Sequence, residues 1–222
     1  MLYVVPTPIG NLEDITLRSL RVLREVSVVL AEDTRTSGFL LRHYEISTPL
    51  RAYHAHNEHR AVEPIVAQLL AGASMALVTD AGTPGISDPA FLLVRACIQA
   101  GIRIECLPGA TAFVPALVVA GLPTDSFHFE GFLPHKKGRQ TRLIHLSALN
   151  TTFVIYESPF RLVKVLGELS EHCGVERPAA VCRELSKKFE EVQRGPLEEL
   201  KNYFTAHPPK GEIVVVVGGK NK

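Results

Sequence analysis

Three polar loops in this sequence combine residue types that are able to bind charged ligands or to move protons. The loop TPIGNLEDIT has a single glycine, Gly10, between a predicted strand and a predicted helix, whose free amide hydrogens suit an anion. The loop AEDTRTS places Glu32 and Asp33 beside Arg35, and two acids next to an arginine shift pKa values or clamp a phosphate. Two alternatives stay open: a tight strand-to-helix turn for the first loop, and a helix N-cap at Asp33 or Thr34 for the second.

The third loop, DAGTPGISDP, is the most informative of the three. Its two glycines allow a ligand to approach the backbone closely, and its two prolines limit the freedom of the chain. Asp80 and Asp88 are suited to bind ribose hydroxyls or to balance a cation, so a cofactor with an amine and a sulfonium would fit. The alternative is a turn in which Asp88 caps the following helix. The sequence has no P-loop, three-glycine fingerprint, H-E-x-x-H or G-x-S-x-G, which argues against nucleotide hydrolases, zinc proteases and α/β-hydrolases.

Histidine and cysteine do not show the spacing of metal ligands. His54 and His56 would share one face of a strand, but no cysteine lies near them in the sequence, so exposed histidines before a helix cap at Asn57 are favoured. The four cysteines have no C-x-x-C spacing, which disfavours a disulfide framework and a zinc knuckle. We therefore expect no metal ion and a reducing environment.

Positive charge is concentrated in the second half of the chain. The 222 residues have a formal net charge of +1, which argues against a simple polycationic nucleic-acid binder. Residues 1–122 carry 9 basic and 11 acidic side chains, whereas residues 123–222 carry 15 basic and 12 acidic ones. Two basic clusters, residues 135–142 and residues 183–188, are able to contact phosphates. Solvated loops are the alternative, because surface charge usually serves solubility.

The spacing of apolar residues predicts an α/β protein. Short apolar runs alternate with helix-like segments up to residue 122, which is typical of a doubly wound parallel sheet. Each of the three polar loops follows a predicted strand. They should therefore meet at the edge formed by the carboxyl ends of the strands, where ligands bind in such sheets.

A linker is predicted at residues 121–125. It divides the chain into an N-terminal α/β domain, residues 1–122, and a C-terminal domain, residues 123–222, with a mixed sheet and helices. The longest apolar stretch is broken by Pro115 and is too short to cross a bilayer. The first residues have neither the basic region nor the apolar core of a secretory signal, so we expect a cytoplasmic protein.

Eight motifs of this sequence resemble, in the same order, motifs of the tetrapyrrole methylase superfamily: TPIGNLEDIT, AEDTRTS, YHAHNE, VTDAGTPGISDP, PGATA, YESPFRL, RELSKKFEE and KGEIVVVV. They are most similar to those of its branch of small-subunit ribosomal RNA 2′-O-ribose methyltransferases, and DAGTPGISDP is specific to that branch. The resemblance implies a two-domain homodimer that binds S-adenosylmethionine in the cleft between its domains and methylates a cytidine ribose near the decoding region. The partner that it implies is small-subunit ribosomal RNA or the assembled small subunit.

The resemblance also implies which residues contact the cofactor. Members of the branch commonly continue past the last strand, whereas this sequence stops at Lys222, so we expect RNA affinity to depend on the two basic clusters. The cofactor contacts carried over by motif are Pro8, Ile9, Asp80, Thr83, Pro84, Ile86, Ser87, Asp88, Thr111, Ala112, Tyr156 and Glu212.

The proton of the ribose hydroxyl needs an acceptor in this reaction. Asp33 and Glu32 are the candidate bases, with Arg35 as a phosphate clamp or electrostatic partner. Glu184 is a further candidate, and a positioned water would serve as well. Two other functions stay open: a methyltransferase for a small tetrapyrrole such as a corrin precursor, and a non-catalytic ribosome-binding module that holds S-adenosylmethionine.

Overall fold

The computed structural model describes residues 1–220, which form two compact units. Unit 1 comprises Met1–Thr111, and unit 2 begins at Ala112. The sequence predicts the division after helix α5 (Phe113–Ala120), whereas in the structure this helix belongs to unit 2. The reason is that the buried face of α5 packs on the sheet of unit 2. The turn signal at Gly121 marks only the end of α5, where this residue adopts a left-handed φ of 70°.

Unit 1 is a five-stranded sheet with the strand order β3-β2-β4-β1-β5, and every pairing in it is parallel. Helices α1 and α2 pack on one face of this sheet, and α3 and α4 pack on the other. The predicted doubly wound parallel sheet is therefore confirmed. The elements are β1 (Leu2–Val4), α1 (Leu17–Glu25), β2 (Val28–Ala31), α2 (Thr34–His43), β3 (Leu50–Ala52), α3 (Glu58–Leu70), β4 (Met75–Val78), α4 (Phe91–Gln99) and β5 (Ile104–Cys106).

The central strand β4 shows why this sheet needs helices on both faces. All four of its residues are buried, and they alternate between the two cores. Ala76 and Val78 belong to the core with α1 and α2, whereas Met75 and Leu77 belong to the core with α3 and α4. Because every residue of this strand is apolar and buried, the polar residues of the site lie in the loop that follows it.

Unit 2 is a mixed sheet with the strand order β6-β7-β10-β8-β9. Strands β6 and β7 are parallel, and the other pairings are antiparallel. Helices α6, α7 and α8 share one core with the sheet, and α5 packs on β8, β9 and β10. The elements after α5 are β6 (Phe127–Phe132), α6 (Arg139–Ala148), β7 (Thr152–Glu157), α7 (Leu162–Cys173), β8 (Pro178–Arg183), β9 (Glu191–Pro196), α8 (Leu197–Ala206) and β10 (Ile213–Val217).

Helix α6 is an element that the sequence analysis did not predict. It begins directly after Gly138, which adopts a left-handed φ of 82° and separates the first half of the basic cluster from the helix. Within residues 1–220, no helix combines the length and the apolar character needed to cross a membrane.

Candidate functional site

The first and third polar loops are joined at the carboxyl edge of unit 1, which we define as the edge where its parallel strands end. Thr7 and Gly82 exchange two backbone hydrogen bonds, with N···O distances of 2.9 and 3.0 Å. The buried hydroxyl of Thr7 also donates to the carbonyl of Thr79, 3.0 Å away. Pro8 and Ile9, which follow Thr7, are buried. The prediction that these loops meet at one edge is confirmed.

A third segment, which follows β5, closes the same edge. The hydroxyl of Thr83 donates to the carbonyl of Ala110 at 2.9 Å, next to Thr111. Gly109 lies so close to Pro6 that a Cβ atom added there would be 2.6 Å from the proline Cβ. The segments after β1, β4 and β5 therefore form one interlocked layer.

The backbone of the third loop is unusually constrained. Gly82 and Gly85 adopt left-handed φ values of 87° and 89°, and Ser87 adopts 68° although it is not a glycine. Such a residue costs on the order of 1 kcal/mol, and such strain is concentrated at ligand sites. Pro84 is buried and Ile86 is half-buried, which fixes the loop from within. These features restrict the backbone conformations that are open to the loop.

Three carboxylates, which we call the acidic group, gather at the ends of β2 and β4: Glu32, Asp80 and Asp88. The hydroxyl of Thr79 donates to Glu32 Oε2 at 2.8 Å, and the amide of Asp33 donates to Asp80 Oδ1 at 3.1 Å. These two bonds connect the second polar loop to the third. All three polar loops consequently contribute to one site.

Two carboxylates of the acidic group, Asp80 and Asp88, lie where the ionised form is disfavoured. Burial, together with the nearby charges of Glu32 and Asp80, raises the pKa of Asp88 to about 6. Burial and the neighbouring carboxylates also raise the pKa of Asp80 above its usual range. Asp88 does not cap the next helix, because the N-cap of α4 is Ala90 and no side chain bonds there. The interpretation of Asp88 as a helix cap is therefore wrong.

Asp33 lies at the start of helix α2 and contacts Arg35. Its side chain caps α2 by accepting from the amide of Arg35 at 2.8 Å, and it pairs with the Arg35 guanidinium at 2.5 Å. These hydrogen bonds from Arg35 lower the pKa of Asp33 to about 2. The N-cap alternative is confirmed, and a carboxylate with so low a pKa is a weak proton acceptor.

Unit 2 contains the remaining predicted residues. Ala112 precedes α5, Tyr156 lies on β7, and the exposed Glu212 precedes β10, the strand that pairs with β7. Glu184 adopts a left-handed φ of 52°, and its Oε1 accepts from Lys187 Nζ at 2.9 Å and from the amide of Glu212 at 2.8 Å. Burial opposes ionisation, but these bonds outweigh it and lower the pKa of Glu184. Its carboxylate is thus committed to positioning Glu212.

The two arginines of the first basic cluster are neutralised within the protein. Arg139 is buried and makes a two-pronged ion pair with Glu168, the closer contact being 2.5 Å, and Arg142 pairs with Glu130. Arg139 is therefore a structural residue and not a phosphate ligand. The sequence did not show this, because its partner lies 29 residues away on another helix.

The second basic cluster is similarly paired. Arg183 bonds to Glu191 at 2.9 Å, and Lys187 bonds to Glu184 and to Glu212. Across residues 1–220, the lysines of the two clusters that form no ion pair are Lys136, Lys137 and Lys188. The surface available to an anionic partner is thus smaller than the sequence predicts.

One other expectation, the helix cap at Asn57, is changed by the structure, and two connecting residues were missed. Asn57 occupies the N-cap position of α3, but its side chain accepts from the amide of His54 at 2.8 Å and not from the helix. Thr7 and Thr79 were not identified from the sequence, although they connect the three loops. The signal that could have found them is a threonine placed directly at the end of an apolar strand.

Comparison with known proteins identifies the family to which this chain is similar. Residues 1–201 match the family described as Tetrapyrrole (Corrin/Porphyrin) Methylases. The chain is 48% identical over 220 residues to "Ribosomal RNA small subunit methyltransferase I" of Synechocystis sp., covering 99% of this chain and 79% of that protein. It is 50% identical over 219 residues to the protein of the same name from Mesorhizobium japonicum, covering 98% and 74%.

A solved structure shares the fold at lower sequence identity. It is uroporphyrin-III C-methyl transferase from Thermus thermophilus complexed with S-adenyl homocysteine, with 19% identity, a TM-score of 0.67 and coverage of 98% of this chain and 96% of that one. The chain belongs to the tetrapyrrole methylase family of methyltransferases. Its relatives place it in the branch of the ribosomal RNA small subunit methyltransferases I, as the sequence motifs predicted.

Proposed function

We propose that this protein transfers a methyl group from S-adenosylmethionine to the 2′-oxygen of a cytidine in small-subunit ribosomal RNA. The observation that carries the proposal is the gathering of Glu32, Asp80 and Asp88 beside the constrained third loop, since carboxylates suit a cationic ligand. The names of the relatives support ribosomal RNA of the small subunit as the acceptor. The choice of cytidine and of the 2′-oxygen comes from the motif resemblance.

The residues at the carboxyl edge fit the methyl donor. Carboxylates suit its amine, its sulfonium and its ribose hydroxyls, and the left-handed Gly82 keeps a side chain out of the place where three segments meet. The residues of unit 1 proposed to hold the donor are Pro8, Ile9, Asp80, Thr83, Pro84, Ile86, Ser87, Asp88 and Thr111.

S-adenosylmethionine supplies, when bound, a reactive sulfonium methyl group for in-line displacement by the ribose oxygen. The protein must then accept the proton of the hydroxyl. Glu32 is the better candidate of the predicted pair, because Asp33 is tied to Arg35 by its side-chain hydrogen bonds. Arg35 projects an exposed guanidinium from the same turn, which suits contact with a phosphate of the RNA.

The acceptor is proposed to be the assembled small subunit, because a particle presents phosphates and shape that naked RNA lacks. We further propose a cytoplasmic homodimer, as the motif resemblance implies. The mass of the protein in solution, measured by light scattering during size-exclusion chromatography, tests the dimer directly.

The function is tested by incubating the protein with unmodified small subunits and labelled S-adenosylmethionine, then digesting the RNA to nucleosides for mass spectrometry. We expect 2′-O-methylcytidine as the single new nucleoside. Glu32→Gln should lower the turnover rate by about 100-fold or more, the usual contribution of a general base. Glu63→Gln, an exposed carboxylate on α3, is the matched control and should retain full activity.

Methylation on a base, or transfer only to a tetrapyrrole precursor offered in parallel, would contradict the proposal. Full activity of Glu32→Gln would contradict only the assignment of the base. These outcomes separate the reaction from the residue that assists it.

A further inference from the structure

A row of aromatic side chains lies on one face of the edge strand β6 in unit 2. The register pairs Phe127 with Thr152, Phe129 with Val154 and Phe132 with Tyr156. Strict alternation would place Phe129 and Phe132 on opposite faces, because they are three residues apart. A β-bulge between Phe129 and Gly131 shifts the register by one residue, so both rings lie on the face of Tyr156.

The rings of this row are in mutual contact. Tyr156 meets Phe129 and Phe132 edge-to-face, with ring centroids 5.2 and 5.7 Å apart. Phe113 from α5 extends the row, with its ring centroid 4.9 Å from that of Phe129 and 6.0 Å from that of Phe127. These contacts hold the rings in fixed orientations, which lowers the entropic cost of stacking a further ring on them.

Two rings of the row are open to solvent. Phe132 is 54% exposed and Phe127 is 43% exposed. Helix α5 packs mainly on β8, β9 and β10, and its Phe113 reaches the row at Phe127 and Phe129 but leaves the two exposed rings partly uncovered. An exposed apolar edge strand is a liability that proteins usually avoid, so an aromatic row placed there needs a partner.

The charge next to the row identifies the kind of partner. Lys136 and Lys137 follow Phe132 closely in the chain, are exposed, and form no ion pair with any part of residues 1–220. Arg139 and Arg142, which come next, are already paired with Glu168 and Glu130. Aromatic side chains on a sheet face together with unpaired cations are the pattern by which proteins bind single-stranded RNA, through base stacking and phosphate contacts.

We infer that Phe127, Phe129 and Phe132 form a stacking platform for unpaired bases of the RNA substrate, with Lys136 and Lys137 contacting its phosphates. This inference rests on the proposed function and names the surface that recognises the acceptor. Because every base has a flat aromatic face, the platform binds splayed-out nucleotides with little sequence preference.

The test measures binding of a fluorescein-labelled single-stranded RNA of mixed sequence by fluorescence anisotropy at fixed salt concentration. Phe132→Ala should raise the Kd about 5- to 150-fold, the range that loss of one base–aromatic stack produces. Phe132→Tyr should stay within about twofold of the unaltered protein, whereas Phe132→Leu should behave like the alanine variant. Phe39→Ala on α2 removes a ring that is 59% exposed and serves as the matched control.

Three results would overturn the inference. The first is an RNA Kd that Phe132→Ala leaves unchanged. The second is an unchanged RNA Kd together with weaker binding of S-adenosylmethionine by this variant. The third is an unchanged RNA Kd together with a lower molar mass of this variant in light scattering. The second result would assign the row to the adenine of the donor, and the third to a second copy of the chain. Methylation of small subunits by the unaltered protein is measured in parallel, so that failure of the proposed function is recognised separately.

Discussion

Replacing Asp88 by asparagine should make the protein more stable at neutral pH while weakening its binding of the methyl donor. Burial and the charges of Glu32 and Asp80 raise the pKa of Asp88 from 3.8 to about 6. The folded state therefore keeps a proton on Asp88 that the unfolded chain has already lost between about pH 4 and pH 6. Stability from this group is complete below its unfolded pKa and is lost as the pH rises through 6.

The size of the effect follows from the shift. About two pKa units correspond to roughly 3 kcal/mol at most. Because Asp88 is only half-buried and solvent screens its charge, we expect about 1–2 kcal/mol. Asparagine resembles the neutral carboxyl group, so Asp88→Asn should exceed the unaltered protein by that amount at pH 7.5 and equal it near pH 4.

Urea unfolding at pH 4.5 and pH 7.5 measures this difference, and Glu63→Gln on α3 provides a control that should show no gap at either pH. Isothermal titration of S-adenosylmethionine at pH 7.5 should show weaker binding to Asp88→Asn, because the variant has lost a negative charge from the acidic group. A stability gap that is absent, or larger at pH 4.5 than at pH 7.5, would refute the reasoning.

Arg139→Ala should lower the free energy of unfolding by about 2–3 kcal/mol, because the substitution leaves Glu168 without its main partner. Thermal unfolding measures this loss, and an unchanged Tm would contradict the prediction. Lys137→Ala should keep the Tm and reduce the salt dependence of RNA binding by about 0.7 in log–log slope, whereas an unchanged slope would remove this lysine from the interface. Gly109→Ala should destabilise unit 1 by about 1–3 kcal/mol, because the added methyl group clashes with Pro6. The control is Gly167→Ala on α7, where the nearest atom is 3.8 Å away, and it should be neutral or stabilising. Equal effects of the two substitutions in urea unfolding would count against this packing.

Much of the fold could be predicted from apolar periodicity. The parallel sheet of unit 1 was predicted, because short apolar runs that form its buried strands alternate along the chain with helix-like segments. Helix α6 was not predicted, since four of its first six residues are polar or charged and its main buried arginine depends on a distant partner. The division between the units differs from the prediction because α5 is apolar enough to pack on either sheet, and only tertiary contacts decide which.

The sequence predicts where the site lies in the fold better than it predicts the protonation and the partners of its side chains. Loops that follow parallel strands must share one edge, so the meeting of residues near Pro8, Glu32 and Asp80 followed from the order of elements. The protonation of individual carboxylates did not follow, because it depends on burial and on which cation is nearest. Asp33 lies two residues from Arg35 in the sequence, yet only the structure shows that its carboxylate is fully used by that neighbour.

The central claim is that the carboxyl edge of unit 1 binds the methyl donor. It is tested most directly by ultraviolet crosslinking of labelled S-adenosylmethionine to the protein, followed by peptide mapping. We predict label in the peptide that contains residues 80–89, lost when excess S-adenosylhomocysteine competes and reduced in Asp88→Asn. Competable label confined to peptides that contain none of the three interlocked segments, after β1, β4 and β5, would contradict the account.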